Sequence, residues 1–218
     1  HLRSASDGFE AAVEALRRER RELEAYLVRH PDFRHSLVPV GLLPSAPEIA
    51  RRMHCAAARV GVGPMAAVAG TIAQRVAEAA LAAGAREAIV ENGGDIYLAA
   101  VAPVTVALYA GLAGLGGELA FQVTPEQTPL AVCSSSSRMG HSLSFGDCDL
   151  ATVVSTDASL ADAAATRAGN LVRSVDDLQA ACEAIAGIDG IAGVLLVKDD
   201  RVALAGCLPE LVRNHDPQ

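Results

Sequence analysis

Val90-Glu91-Asn92-Gly93-Gly94-Asp95-Ile96 decides the fold class of this chain, because it sets two apolar runs on either side of residues that reverse a backbone. Glu87 to Val90 reads as a buried strand, and a second strand is expected over 96–101. Asn-Gly and Gly-Asp are hairpin signals, and paired glycines supply the positive φ that a tight turn needs. Two carboxylates and an amide are also plentiful for a mere turn, so the segment stands equally as a ligand-binding candidate. Upstream, Met65 to Ala83 is Ala-rich and nearly apolar all round, with Gln74, Arg75 and Glu78 its main polar relief. Such a helix is buried on most sides, and Gly84 caps it. Further strands are expected at 104–110, 118–123, 129–133 and 151–155. A helix against successive strands joined by turns implies an α+β fold of mixed, largely antiparallel sheets packed with helices.

The flanks fit one domain over residues 1–218. Asp7 to Glu10 has capping-box spacing and opens a charged helix over 8–29, ended by His30-Pro31. Residues 31–47 hold Pro31, Pro39, Pro44 and Pro47 and read as an extended connector. The core then runs over 48–206. It begins with a short helix from Pro47 to about Arg59 and the turn Val60-Gly-Val-Gly-Pro64. It continues with helices from Ser159 to about Val172 and Asp176 to Ala186, opened by Ser159…Asp162 and Ser174…Asp177. A hairpin at 192–198 and 202–206, turning at Asp199-Asp200, closes it.

The chain has 218 residues, 51% apolar and 20% charged, with aromatics at 3% and no Trp. That is globular, enough to bury roughly 70% of the unfolded surface, with Ala, Val and Leu filling the core. Eighteen basic against 26 acidic residues give −8, which argues against nucleic acid or an anionic membrane as a partner. An anionic ligand then needs helix N-termini, backbone N–H groups or a metal. The five cysteines are spread without a CxxC, which suits a reducing compartment and neither a disulfide framework nor a zinc site. Ile96 to Gly117 carries no charge, yet Pro103, its glycines and Val104-Thr105-Val106 divide it into short strands rather than a membrane span. A cytoplasmic protein is expected. The chain opens at His1 without Met, so an incomplete N-terminus leaves an export signal open.

Four segments carry candidate chemistry. In Val62-Gly63-Pro64-Met65-Ala66-Ala67 a glycine turn enters a buried helix, where free N–H groups suit a phosphate and small residues admit a flat ring; taken alone, the segment reads first as a tight turn before a core helix. Asn92, Gly93, Gly94 and Asp95 form the second. The third is Cys133-Ser134-Ser135-Ser136-Ser137-Arg138-Met139-Gly140-His141-Ser142, whose hydroxyls, guanidinium and imidazole suit phosphate binding and proton transfer, or a plain serine loop. Gly140-His-Ser-Leu-Ser144 misses the last glycine of a nucleophile elbow, which argues against a serine hydrolase. In the fourth, Asp162 and Thr166 stand i, i+4 on one helix face. Such hard oxygens suit Mg²⁺, although Asp162 also fits the third position of a capping box.

Taken in order, these segments resemble the ApbE-like superfamily, whose characterised members are FAD:protein FMN transferases. The likeness is closest to a branch outside those transferases. It rests on Val62-Gly-Pro-Met-Ala-Ala-Val-Ala-Gly70, Val90-Glu-Asn-Gly-Gly-Asp-Ile96, Gly140-His-Ser-Leu-Ser-Phe-Gly146 and Ala161-Asp-Ala-Ala-Ala-Thr166, within roughly Leu23 to Val172. The resemblance implies an ApbE-like, T-fold-like architecture with a flavin-nucleotide cleft between sheets and helices. It implies metal binding by Asp162, Thr166 and the backbone carbonyl of Ala66. Gly63, Met65, Asn92, Gly93, Gly94, Asp95 and Ser134 to Ser137 would line the flavin, and His141 would be the base that deprotonates an acceptor hydroxyl.

The implied function is Mg²⁺-dependent FMN transfer from FAD to a protein, or cleavage of FAD or a related dinucleotide at its pyrophosphate, with AMP leaving. The alternative is a flavin- or nucleotide-binding protein without transferase activity. Departures from the family pattern keep that alternative in view. Ala67-Val68-Ala69 replaces the family's Lys-Gly-Tyr, Ser137 replaces the glycine of its Thr-Ser-Gly, and Ser142-Leu-Ser-Phe145 lacks its Asp-Pro. Expected partners are the flavin, an acceptor protein and a second copy packed through small-residue helices and apolar strands.

Overall fold

The computed structural model of the protein describes residues 2–3, 6–109, 119–136 and 146–214, with side chains from residue 8 on. Among these residues the helices are α1 (Ser6–Arg29), α2 (Pro31–His35), α3 (Glu48–Val60), α4 (Val68–Ala82), α5 (Ala158–Leu171) and α6 (Leu178–Ala186). The strands are β1 (Leu2–Arg3), β2 (Ala88–Asn92), β3 (Asp95–Ala99), β4 (Val104–Leu108) and β5 (Leu119–Val123). They continue with β6 (Leu130–Ser135), β7 (Leu150–Ser155), β8 (Ile191–Lys198), β9 (Arg201–Gly206) and β10 (Glu210–Arg213). The described strands form a seven-stranded sheet in the order β1-β2-β3-β6-β7-β8-β9 and a three-stranded sheet in the order β10-β5-β4. Every pairing is antiparallel, which makes this an α+β fold.

The alternation of side chains along each strand gives the large sheet two apolar faces. Val90, Tyr97, Ala131, Cys133, Ala151, Val153, Val194 and Leu196 face the helices. Leu98, Leu130, Val132, Leu150, Val154, Leu195 and Val197 face the small sheet, where they meet Val106, Leu108, Phe121 and Val123. Helices, large sheet and small sheet therefore stack as three layers.

The central helix is α5. Its buried residues include Ala158, Leu160, Ala161, Ala163, Ala164, Ala165 and Ala168, and it packs on α3, α4, β6 and β7 at once. Alanine permits that crowding, because a helix of small side chains lets neighbouring backbones approach. The few polar residues of α4 are its ties to the other helices. Gln74 Oε1 accepts from Ala158 N of α5, Arg75 Nη2 lies 2.9 Å from Glu19 of α1, and Arg52 of α3 lies 2.8 Å from Glu78.

Several expected boundaries move. The helix expected over 65–83 begins as a single 3-10 turn, Pro64–Ala67, before α4 takes over. The connector over 31–47 contains α2. Its remainder is a strap, held by Tyr26 Oη accepting from Leu43 N, by His54 Nδ1 at 2.8 Å from Val40 O and by His30 Nε2 at 2.9 Å from Gly41 O. The uncharged run from Ile96 divides between sheets, with β3 in the large one and β4 in the small one. Among the described residues no single helix is long and apolar enough to cross a membrane, although α3 and the segment Pro64–Ala82 pass that test together across a 106° bend. β1 and β10 carry too few residues for periodicity to reveal them.

Gly70 marks the closest approach of α4 and α5. A Cβ there would sit 2.3 Å from Ala158 O and 2.8 Å from Asp162 Cβ. Both obstacles belong to the core of α5 and cannot swing aside. Gly70→Ala is expected to lower the stability measured by urea unfolding by about 1–3 kcal/mol, the usual cost of overpacking, despite the better helix propensity of alanine. An unchanged or raised midpoint would show that the crossing yields.

Candidate functional site

The hairpin expected from the Gly-Gly segment forms, with Asn92 paired to Asp95 and Gly93 and Gly94 at φ 67° and 100°. Alternation sends Asn92 and Asp95 to the helix face of the large sheet. Asn92 Nδ2 donates to Ala69 O at the start of α4, 3.1 Å away, so the turn is tied to that helix. Glu91 Oε1 accepts from Gly94 N and steadies the turn.

Asp95 is 5% exposed. Its Oδ1 accepts from Ser134 N at 3.1 Å, joining the hairpin to the end of β6. Burial pushes its carboxyl up to about 7, against the bonds from Ser134 N and the Cys133 side chain, and Glu91 adds to the rise. Asp162 lies across from it on α5. Burial holds its carboxyl well above the ordinary carboxylate range, and the charge of Asp95 raises it further. Backbone N–H groups of Gly70, whose N is 2.9 Å from Oδ2, and Ala69 oppose the shift. Among the described residues no lysine or arginine relieves either rise. The Cys133 thiol, between the two carboxylates, is pushed up by burial and by both charges. It therefore stays a neutral thiol.

Asp162 is not part of a capping box with Ser159. Asp157 caps α5, its Oδ1 accepting from Ser159 N and Leu160 N, because the helix starts one residue earlier than its serine suggests. Ser159 Oγ instead lies 2.8 Å from Thr71 Oγ1, which donates to Ala67 O. The Ser174 and Asp177 box does form. Asp162 is thus left to cap α4 from outside. Thr166 stands one helical turn further along α5 and is half-buried.

The remaining candidates divide. Ser134 Oγ lies 2.9 Å from Thr152 Oγ1 of β7, so its hydroxyl belongs to the sheet face turned from the helices while its N–H serves Asp95. Ser135, by alternation, shares the face of Asp95, and Ser136 is half-buried at the strand end. Ser137 and His141 lie outside the described residues. Gly146, where the described chain resumes, presses on α5; a Cβ there would meet Gly169 O and Val172 O. Ala66 and Met65 are half-buried against the helical core. The space over Gly63 is taken by the strap, since a Cβ there would collide with Ser36 O, so the close approach this glycine permits is to Ser36.

Sequence reading did not single out Gly70 or Cys133. A glycine three residues into an Ala-rich helix is the signal for the first, since it costs helix propensity and must serve a close contact. Nothing in the sequence marks Cys133 as the thiol between the carboxylates. Among the described residues no three His, Cys, Asp or Glu side chains converge as a metal-ligand set. A cation here would rest on at most two carboxylates plus hydroxyl, carbonyl or water oxygens.

This α+β layering and its buried acid pair fall within a known family. The chain belongs to the AbpE bacteria family, whose model matches residues 3–187 and so spans all four motif segments. It is similar to the UPF0280 protein of Methanocella arvoryzae, 45% identical over 203 residues that make up 93% of this chain and 82% of that one. The UPF0280 protein of Archaeoglobus fulgidus is 45% identical over 207 residues, covering 93% of this chain and 85% of that one. Among solved structures, a flavin transferase ApbE from Vibrio cholerae aligns with 94% of this chain and 76% of its own at 17% identity and a TM-score of 0.47. The apo flavinyl transferase ApbE of Pseudomonas stutzeri aligns with 66% of this chain at 18% identity and a TM-score of 0.45; the match spans about half, 51%, of that protein.

Asp95 gives the site a pH signature. Its folded value of about 7 lies above the unfolded value of roughly 3.9, so the native state holds the proton more tightly. The stability this contributes is fully present below the unfolded pKa and is lost as pH rises through about 7. With chelator present, the melting temperature of the wild type should fall between about pH 4 and 7.5. Asp95→Asn, which can still accept from Ser134 N, should fall less steeply. Parallel curves for the two proteins would contradict the assignment.

Proposed function

We propose that the chain seats a Mg²⁺ ion on Asp162, with Thr166 Oγ1 and the Ala66 carbonyl completing the protein ligands, and acts on the pyrophosphate of FAD or a related dinucleotide. The observation that carries this reading is the buried Asp95–Asp162 pair. Two carboxylates held out of water, neither relieved by a lysine or arginine among the described residues, are short of positive charge, and burial favours the protonated form that a bound cation displaces. The donor set also suits the metal. Mg²⁺ takes oxygen ligands, needs only one or two carboxylates, and shares its remaining positions with water and phosphate. When bound, it supplies the positive charge that a protein of net charge −8 lacks for a pyrophosphate.

The chain's own groups would do the rest. The Gly93-Gly94 turn keeps backbone within reach of a ring or phosphate, and Ser135 and Ser136 offer hydroxyls at the end of β6. His141, by resemblance, takes the proton from an acceptor Ser or Thr hydroxyl. That oxygen forms a bond to the FMN-side phosphorus, the phosphorus–oxygen bond to AMP breaks, and FMN is left on the acceptor protein as a phosphoester. Family membership and the motifs Ala161-Asp-Ala-Ala-Ala-Thr166 and Gly140-His141 support this reading.

A second reading, a flavin or nucleotide binder without turnover, is favoured by two observations. Asp162 already has a structural task at the start of α4, and the adjacent Ala67-Val68-Ala69 departs from the family's flavin-pocket residues.

Incubation with FAD and Mg²⁺, with and without chelator, followed by chromatography, separates the two. FMN transfer or pyrophosphate cleavage predicts metal-dependent AMP, reduced at least ~100-fold in His141→Ala, the usual worth of a positioned base, and lost in Asp162→Asn. That substitution keeps an oxygen for Gly70 N. Turnover indifferent to chelator would overturn the metal role. A metal-dependent rise in melting temperature with FAD but no AMP would establish the binder.

A further inference from the structure

We propose that the outer face of α1 pairs antiparallel with α1 of a second copy of this chain. Glu10, Glu14, Arg17 and Arg21 are all exposed on that face. Among the described residues none of the four makes an ion pair, although α1 carries other pairs, Arg18 with Glu19 and Arg20 with Glu24. Their spacing is what singles them out. Residues three and four apart are neighbours on a helix, so Glu10 stands beside Glu14 and Arg17 beside Arg21, like charge against like, and within the stripe only Glu14 and Arg17, three apart, meet as opposite charges. The helix dipole does not account for the arrangement. Arg17 and Arg21 lie two and more turns before the end of α1 at Arg29, beyond the last turn in which the dipole acts.

A two-fold axis between residues 15 and 16 turns this conflict into complementarity. An antiparallel second copy then brings Glu10 opposite Arg21 and Glu14 opposite Arg17. Symmetry repeats both contacts, giving four intermolecular pairs from one stripe, as an isologous interface requires. Apolar side chains flank the stripe, with Phe9 50% and Leu16 37% exposed. An open depression of about 530 Å³ runs along the same face from Phe9 to Arg21, lined among the described residues by α1 alone. The partner is therefore self, and the dimer is weak and salt-sensitive, because its charges sit at the surface. The face lies on the far side of α1 from α4, so the dimer leaves the Asp95–Asp162 site unobstructed and does not depend on the proposed chemistry.

Sedimentation velocity tests the pairing. At about 50 mM NaCl the weight-average mass should rise with concentration toward twice the 22.4 kDa of one chain, and about 500 mM NaCl should weaken the association several-fold. Glu10→Lys with Glu14→Lys makes the stripe wholly positive, and Arg17→Glu with Arg21→Glu makes it wholly negative. Each variant alone should stay monomeric with wild-type circular dichroism, and an equimolar mixture of the two should recover the dimer. A wild type that is monomeric up to about 1 mM at low salt overturns the proposal. So do variants that dimerise alone, and a mixture that fails to associate.

Discussion

The carboxylate of Asp162 reaches from α5 to the third backbone N–H of α4, at Gly70, and the arrangement of the helical layer depends on that contact. The first N–H groups of any helix lack partners within it. No side chain at the entry of α4 supplies one, since the preceding residues are Pro64, Met65, Ala66 and Ala67. An acid from the neighbouring helix supplies it instead. The glycine that donates the bond also lets α5 come close enough to accept it. Cap, close crossing and small side chains are therefore one constraint expressed three ways.

The same contact creates the electrostatic problem that makes the site chemically interesting. Held between α4 and the sheet, Asp162 cannot be solvated, and the hairpin brings Asp95 to face it. Asp95 in turn is fixed by Ser134 N, so the serine-bearing end of β6 is registered against both acids. Three chain segments distant in sequence thus converge through backbone N–H groups, with no lysine or arginine among the described residues at the junction. On the proposed reading, a cation seated on these hard oxygen donors supplies the local positive charge that an anionic ligand needs.

How much of this the residues announce depends on the range of the interaction. The Gly-Gly hairpin, the buried Ala-rich helix and the β8–β9 hairpin follow from local pattern; both hairpins appear within a residue or two of their expected places, while the helix proper starts three residues late, after a 3-10 turn. The α+β class follows with them. Asp162 is legible as a candidate acid on its helix face, but the backbone N–H it accepts from is not, because Ser159 at the right spacing mimics a capping box. Asp157, two residues before that serine, takes the capping position through its own local bonds. Gly63 shows the opposite limit: its freedom from a side chain is visible in sequence, while Ser36 as the group that needs the space is not. Strands of two to four residues, such as β1 and β10, have no periodicity to read.

Calorimetric titration of the protein with Mg²⁺ near pH 7, in two buffers of different ionisation enthalpy, tests the central claim most directly. A cation that replaces protons on the Asp95–Asp162 pair must release them, so the observed heat should depend on the buffer, and Asp162→Asn should abolish both heat and release. Saturable binding without proton release, or binding that survives Asp162→Asn, would contradict the assignment of the cation to Asp162 beside the buried Asp95.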